Sequence, residues 1–544
     1  MRNKDRKGDV IFVNGEVITV DKNNNVNEAL VISDNIIAYT GTNEEALQYK
    51  TDNTEVIDLN GRSLVPGFID SHIHVAHTGA WKSVLVNLDP SVAPTIPDMM
   101  NLIKKKASET PNGEWVACWG FDEDRLPEKR MPTISELDDA SPDNPVMCAR
   151  LDGHTGVYNS LALKIGGINK ETASNYVKGQ VEIIDDQISG VLRETAYYDM
   201  WNYVHLPMDE LIKGLKIESD DLIKAGVTSV HDTGSYGSMV HVAYHEAVKK
   251  NIFKPRVLVM HFSLLGKESV KKSIKQYAKD GYGCYMGNDK IKYGLMKIMI
   301  DGGSSGPSCA MKKGYTHDPE NTGIMSMSQE EIDDIVWTIH SSDLQATAHA
   351  VGDKAIEAWV SAIEKAQAKY PRKDPRHRIE HCGFVDDDLL KRIKDLGIIP
   401  IPNPRFIHLN GDRYLRFFGD RVHRMFPMKT FLDNDVICAI GTDCSIIPEN
   451  PFLGLASSMN RLSSSGEEVG GCQKIDIMDA IRMYTYNGAY AEKAEDIKGS
   501  LEPGKLADMV VVSDKMLSAT AEQVEAMKCQ ITVIDGQIVY RADI

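Results

Sequence analysis

Long apolar runs are missing from this 544-residue chain. No stretch reaches the ~20 residues that a membrane helix needs, so no membrane partner is expected. The N-terminus, MRNKDRKGDV, carries charges where a secretory signal has its apolar segment. Cysteine is scarce: there are nine, an odd number, with no CxxC pair. Neither a disulfide framework nor a zinc ribbon is expected, and a reducing cytoplasm is the predicted compartment. Positive charge is also short. With 61 Lys and Arg against 78 Asp and Glu, the formal net charge is -17, which argues against a nucleic-acid partner.

What is present is ordinary for a soluble globular protein, 42% hydrophobic and 26% charged. The length implies two or more domains. The first sixty residues read as short strands, 10–20, 29–41 and 54–61, with NG and DN between β-branched runs as hairpin signals. Residues 507–514 and 531–540 read the same way. Neither end is large enough to stand alone, so 1–65 and 491–544 are expected to pair into one β-sandwich. Between them, residues 66–490 alternate apolar strands with helical patterns. The candidate strands are 67–74, 227–232, 256–262, 295–302, 346–352, 378–383, 398–404 and 437–443. Eight such strands argue for an α/β fold, a (β/α)8 TIM barrel. Residues 75–226 are too many for one connection, and they hold Trp81, Trp115, Trp119 and Trp201. Insertions in such barrels belong at the C-terminal ends of strands. Residues 80–200 therefore read as a lid or substrate subdomain, beside the plainer reading of a structural insertion with its own core.

The strand ends carry chemistry. The first, GFIDSHIH, ends in His72 and His74, which share a face because side chains alternate along a strand. The fourth carries Lys297, the fifth His349, the sixth His381, and the eighth ends in Asp443. A closed barrel would aim all of them at one mouth. Imidazoles and a carboxylate are ligands for zinc and similar divalent ions. One histidine on an apolar strand is usually a packed core residue, but four, with an aspartate, from four strands are not explained by packing. Asp70 is expected to orient one of the imidazoles.

These motifs resemble the metal-binding signature of the amidohydrolase superfamily. More narrowly, MKIMIDGGSSG, HAVGDKAIEA, HRIEHC, DGHTGVYNSLAL (152–163) and GSLEPGKLADMVVV (499–512) resemble the amidohydrolase-3 group, which includes N-substituted formamide deformylase. The resemblance spans nearly the whole chain. It implies a composite β-sandwich flanking the barrel, and one or two metal ions. It also implies that Lys297 is carboxylated by CO2, the carbamate bridging two metals; the alternative is an ammonium ion paired with Asp301. Without the carbamate, a single metal on His72, His74, Asp443 and His381 or His349 is implied.

On this reading a metal lowers the pKa of bound water from 15.7 to about 7 and so supplies hydroxide. Asp443 is the expected general base, passing the proton to the leaving nitrogen. His154, in LDGHTG, is expected to polarise the substrate carbonyl and Trp119 to wall the pocket. Arg193 and Glu194 read as an ion pair holding the lid. His231 and His261 end strands and are expected at the mouth without a metal role. The predicted activity is hydrolysis of the C–N bond of a small amide, of N-acyl or N-formyl type. The alternative is a deaminase of a heterocycle or exocyclic amine on the same scaffold. No HxxE follows His349 or His381, and Lys297 is present; both favour the amide. A non-catalytic relative would usually have lost ligands, and this chain keeps each one. A homodimer is the working expectation for assembly.

Overall fold

The computed structural model describes residues 8–176, 180–201, 203–204, 207–262, 266–279, 281 and 283–542. Residues 1–7 of the expected N-terminal part and 177–179 of the expected insertion lie outside the described residues.

Seven parallel strands form the centre of the molecule. They are β1 (Phe68–Ile73), β2 (Val227–Tyr236), β3 (Arg256–Phe262), β4 (Ile291–Met299), β5 (Gln345–Ala350), β6 (Arg378–His381) and β7 (Ile399–Ile401), each hydrogen-bonded to the next in chain order. Every residue of β1 and of β5 is buried, as parallel strands covered on both faces must be. The eighth expected strand, 437–443, fills the gap between β7 and β1 but is not a regular strand. Ala439 N–H donates to Pro400 O, Ser71 N–H to Ile440 O, and Asp443 N–H to His72 O. Pro400 and Pro402 have no N–H to return the bonds on the other side. The ring of strands is thus nearly closed, with one irregular stave.

Helices cover the ring. Helix α1 (Val75–Ser83) starts directly after His74 and crosses α2 (Met208–Ala225). The crossing is so close that a Cβ on Gly79 would stand 2.5 Å from the Gly214 backbone. Helix α3 (Gln329–His340) begins with a capping box between Ser328 and Glu331. Helix α4 (Asp353–Lys369) buries Ala355, Ile356, Trp359, Val360 and Ile363, a stripe at helical spacing. Its Trp359 Nε1–H donates to Arg378 O at 2.9 Å, fixing the helix against β6.

Two further units frame the ring. Residues 86–193 contribute a six-stranded sheet in the order 181–184, 187–193, 155–158, 146–150, 116–121, 86–87. One face packs on its own helices through Met99, Ile103, Val116 and Phe121. The other, with Trp119, Met147, Tyr158 and Tyr197, packs against Phe262 and Met299 of the ring. The chain ends meet in a second six-stranded sheet, where 509–512 pairs antiparallel with 63–66 and 16–18 pairs parallel with 63–66. Together with the four-stranded sheet of 10–13, 29–33, 36–41 and 55–58, it encloses a core of Phe12, Val17, Leu64, Met509 and Val533.

Candidate active site

The site begins where β1 meets the irregular stave. Gly441 passes so close to β1 that a Cβ there would lie 2.4 Å from His72 Cβ. The stave then ends at Asp443, whose φ of 61° turns its side chain toward the strand ends. Asp443 Oδ1 lies 3.3 Å from His72 Nε2 and 3.0 Å from His74 Nε2. His72 is wholly buried, and its Nδ1 lies 2.5 Å from Glu380 Oε2. That carboxylate can only accept, so His72 Nδ1 carries a proton, and in the neutral ring Nε2 is the lone pair. His381 Nδ1 lies 2.8 Å from Asn403 Oδ1, and the Asn403 amide donates to Gly441 O. The His381 ring stands 4.6 Å from that of His72 and 4.5 Å from that of His349.

Among the described residues, His72, His381 and Asp443 bring ligand atoms within 4.8 Å of one another. His74, His349 and Lys297 lie outside that tightest set but line the same cavity as His381 and Asp443. His72 Nε2 is buried with no hydrogen-bond partner among the described residues. Burial holds His381 at a pKa of about 3 and His349 well below the ordinary value, so both are neutral, the ligand form. Burial raises the Asp443 carboxyl, but the surrounding His72, His74 and His381 outweigh it and keep the group well below the usual carboxylate range. Neutral imidazoles around an ionised carboxylate fit a divalent cation.

Lys297 is buried, and desolvation pulls its pKa down. Its Nζ lies 5.4 Å from the centre of the Phe262 ring and has no hydrogen-bond or ion-pair partner among the described residues. The pairing with Asp301 does not form. The Asp301 carboxylate instead accepts from the N–H groups of Ala310, Val351 and Gly352 at 2.9–3.1 Å.

The residues 80–200 supply the facing wall. Trp119 stacks on Trp81, with ring centres 3.6 Å apart, and both line the cavity with Tyr197, Tyr198 and Phe262. His154 stands 5.4 Å from His349, ring to ring. Its Nδ1 lies 2.9 Å from Glu194 Oε2 and 3.0 Å from Tyr198 Oη, and its N–H donates to Asp152. Burial opposes its protonation, but the Glu194 and Asp152 carboxylates win and raise it to about 9.

Four expectations need correction. Asp70 touches no imidazole among the described residues; it accepts from the backbone N–H groups of His72 and Thr442 and from the Thr442 hydroxyl, tying β1 to the stave. Arg193 pairs with Glu182, not with Glu194, which serves His154. His231 lies inside the ring against Arg378 and Glu492 rather than at the mouth. His261 packs on Tyr277 and His241 of the helical layer. Sequence reasoning also passed over Glu380, Asn403 and the orienting role of Glu194. Glu380 sits inside the HRIEHC motif, but alternation along a strand places it opposite His381. The left-handed φ of 67° at His381 breaks that alternation at the strand's end.

A family model of the amidohydrolase family matches residues 55–540. The chain belongs to the amidohydrolase family. It is therefore a hydrolase acting on carbon–nitrogen bonds other than peptide bonds. It is 28% identical to the amidohydrolase YtcJ of Bacillus subtilis (strain 168), across 97% of this chain and 99% of that one. It is 25% identical to the N-substituted formamide deformylase of Arthrobacter pascens, across 98% of both. An uncharacterized metal-dependent hydrolase from Pyrococcus horikoshii OT3 shares the fold with a TM-score of 0.75 at 24% identity, over 94% of this chain and 99% of that chain.

Proposed function

We propose that the chain hydrolyses the C–N bond of a small, uncharged N-acyl or N-formyl amide. The observation that carries this reading is the convergence of His72, His381 and Asp443, with the orphaned His72 Nε2 facing the Asp443 carboxylate. One or two divalent ions, zinc by donor type, would be held by His72, His74, His349, His381, Asp443 and a CO2-derived carbamate on Lys297; such an ion acidifies water and polarises a carbonyl. Lys297 suits the carbamate because burial favours its neutral amine, the form that adds CO2. Asp443 accepts the proton of the attacking water and returns it to the departing nitrogen, since an amine leaves readily only once protonated. His154, held protonated by Glu194, donates Nε2–H toward the carbonyl oxygen.

The cavity supports the substrate class. It has two lobes, of about 70 and 50 Å³, sharing Asp152, His154, His349, His381 and Asp443. The larger lobe is walled by Trp81, Trp119, Tyr197 and Phe262, which suits an apolar N-substituent; His154 is the cationic candidate in its lining. A substrate carboxylate has no guanidinium partner among these residues, so neutral amides are favoured over N-acyl amino acids. The relative named N-substituted formamide deformylase points the same way. We further read residues 66–490 as a TIM barrel with 80–200 as its lid, and 1–65 with 491–544 as one composite β-sandwich. The nine free cysteines suit a reducing cytoplasm.

The test is a substrate panel of N-formyl amines, N-acyl amino acids, cyclic ureides and aminated heterocycles, with metal counted per chain in wild type and Lys297→Ala. Amine and carboxylate release from neutral amides is expected, abolished by chelation, with metal reduced in Lys297→Ala. Ammonia from the heterocycles with every amide untouched would assign the site to a deaminase.

A further inference from the structure

We propose that Glu380 is a positioning residue, a buried carboxylate that fixes the tautomer and rotation of His72 and thereby sets the affinity of the site for its metal. The proposal rests on the metal reading given above. Glu380 is fully buried on β6, in the interior of the ring. A buried carboxylate is costly unless its oxygens are satisfied, and here both are. Oε1 accepts from Thr347 Oγ1 at 2.5 Å and Arg378 Nε at 2.8 Å; Oε2 accepts from Arg378 Nη2 at 3.1 Å and from His72 Nδ1.

The geometry leaves the carboxylate no freedom. Thr347 and Arg378 are register partners on adjacent strands, so two strands grip it from one side. Arg378 is held in turn: Nη2 donates to Ser71 O at 2.6 Å, and Nη1 lies 2.9 Å from His231 Nδ1. Ser71 immediately precedes His72. One guanidinium therefore clamps both the backbone that carries the imidazole and the carboxylate that orients its ring. The comparison with His381 sharpens the point. That ring is oriented by the neutral amide oxygen of Asn403, whereas His72 leans on an anion. A carboxylate on Nδ1–H makes the opposite nitrogen a stronger donor, and such partners are generally worth 10–100-fold in metal affinity or activity.

A purely structural role for the Arg378–Glu380 pair would be felt in folding and not in metal affinity, so the decisive readout is zinc affinity by chelator competition, beside melting of the metal-free protein. Glu380→Gln puts an amide N–H2 against either His72 Nδ1–H or the Thr347 and Arg378 donors. It should weaken zinc binding about 10–100-fold and leave KM of the zinc-saturated enzyme unchanged. Thr347→Val removes a single donor from the same carboxylate and should weaken zinc binding several-fold. Wild-type zinc affinity in Glu380→Gln overturns the proposal, as does lowered melting of the metal-free protein with affinity intact. If Glu380→Gln does not fold, unchanged affinity in Thr347→Val overturns it. His72→Ala separates the two levels: full metal content in that variant removes the metal reading itself, while loss there with retention in Glu380→Gln removes only the role of Glu380.

Discussion

Two histidines confront each other across the cavity, one at the end of β6 and one from the six-stranded insertion. Both His381 and His154 are enclosed, and enclosure pushes both toward the neutral form. His381 is met by an amide oxygen and stays near a pKa of 3; His154 is met by the carboxylates of Glu194 and Asp152 and rises to about 9. The difference lies in the charge of the partner rather than the depth of burial. On the proposed reading the ring wall offers lone pairs and the insertion wall a proton. Amide hydrolysis needs both, one side to hold a Lewis acid and the other to steady the carbonyl oxygen as charge develops there.

The largest effect should come from the ring wall. Among the described residues Asp443 alone touches both His72 and His74, and it is the one ionised carboxylate at their Nε2 tips. Asp443→Asn keeps the shape and removes the carboxylate that we propose carries the proton. Its kcat should fall by about 10²–10⁴-fold, with the circular dichroism spectrum unchanged; a variant within threefold of wild type would take Asp443 out of the proton path.

The insertion wall should respond to pH. With its folded-state pKa raised above the ordinary 6.5, protonated His154 contributes stability that is fully present below about pH 6.5 and is lost as pH rises through about 9. Activity that uses the His154 proton should fall over the same alkaline range. Glu194→Gln removes the main source of the shift, so that limb should move down by about one unit or more. An alkaline limb unmoved by Glu194→Gln, measured as kcat against pH, would separate His154 from catalysis.

How much of this was legible beforehand divides along the same line. The histidines at strand ends could be read because each is local: a short apolar run followed by an imidazole. Seven of the eight expected strands formed; the eighth lacked a ladder because Pro400 and Pro402 offer no N–H to it. What could not be read were partnerships between distant residues. Glu380 reaches His72 across 308 positions, from a strand far away in the sequence. Arg193 and Glu194 looked like a pair because they are adjacent, yet Arg193 ends a strand and Glu194 opens a helix with a left-handed φ of 48°, and each found its partner elsewhere.

The smallest effect should come from the aromatic lobe. On the proposed reading Trp119 offers the substrate surface rather than chemistry; it is stacked on Trp81 at an interplanar angle of 14°. A pocket wall binds ground state and transition state alike, so its loss raises KM and spares kcat. Trp119 is also part of the core with Met147 and Tyr158, and emptying such a site costs about 3–5 kcal/mol in buried settings. Trp119→Ala therefore confounds binding with unfolding of the insertion. Trp119→Phe is the cleaner variant, since it keeps an aromatic face on Trp81 and removes only part of the wall. It should raise KM for amides with an aromatic or branched N-substituent by about 3–10-fold, equivalent to ~0.7–1.4 kcal/mol of binding, and leave KM for N-methyl amides unchanged. An equal rise for both, or a fall in kcat at constant KM, would show that the larger lobe does not receive the N-substituent.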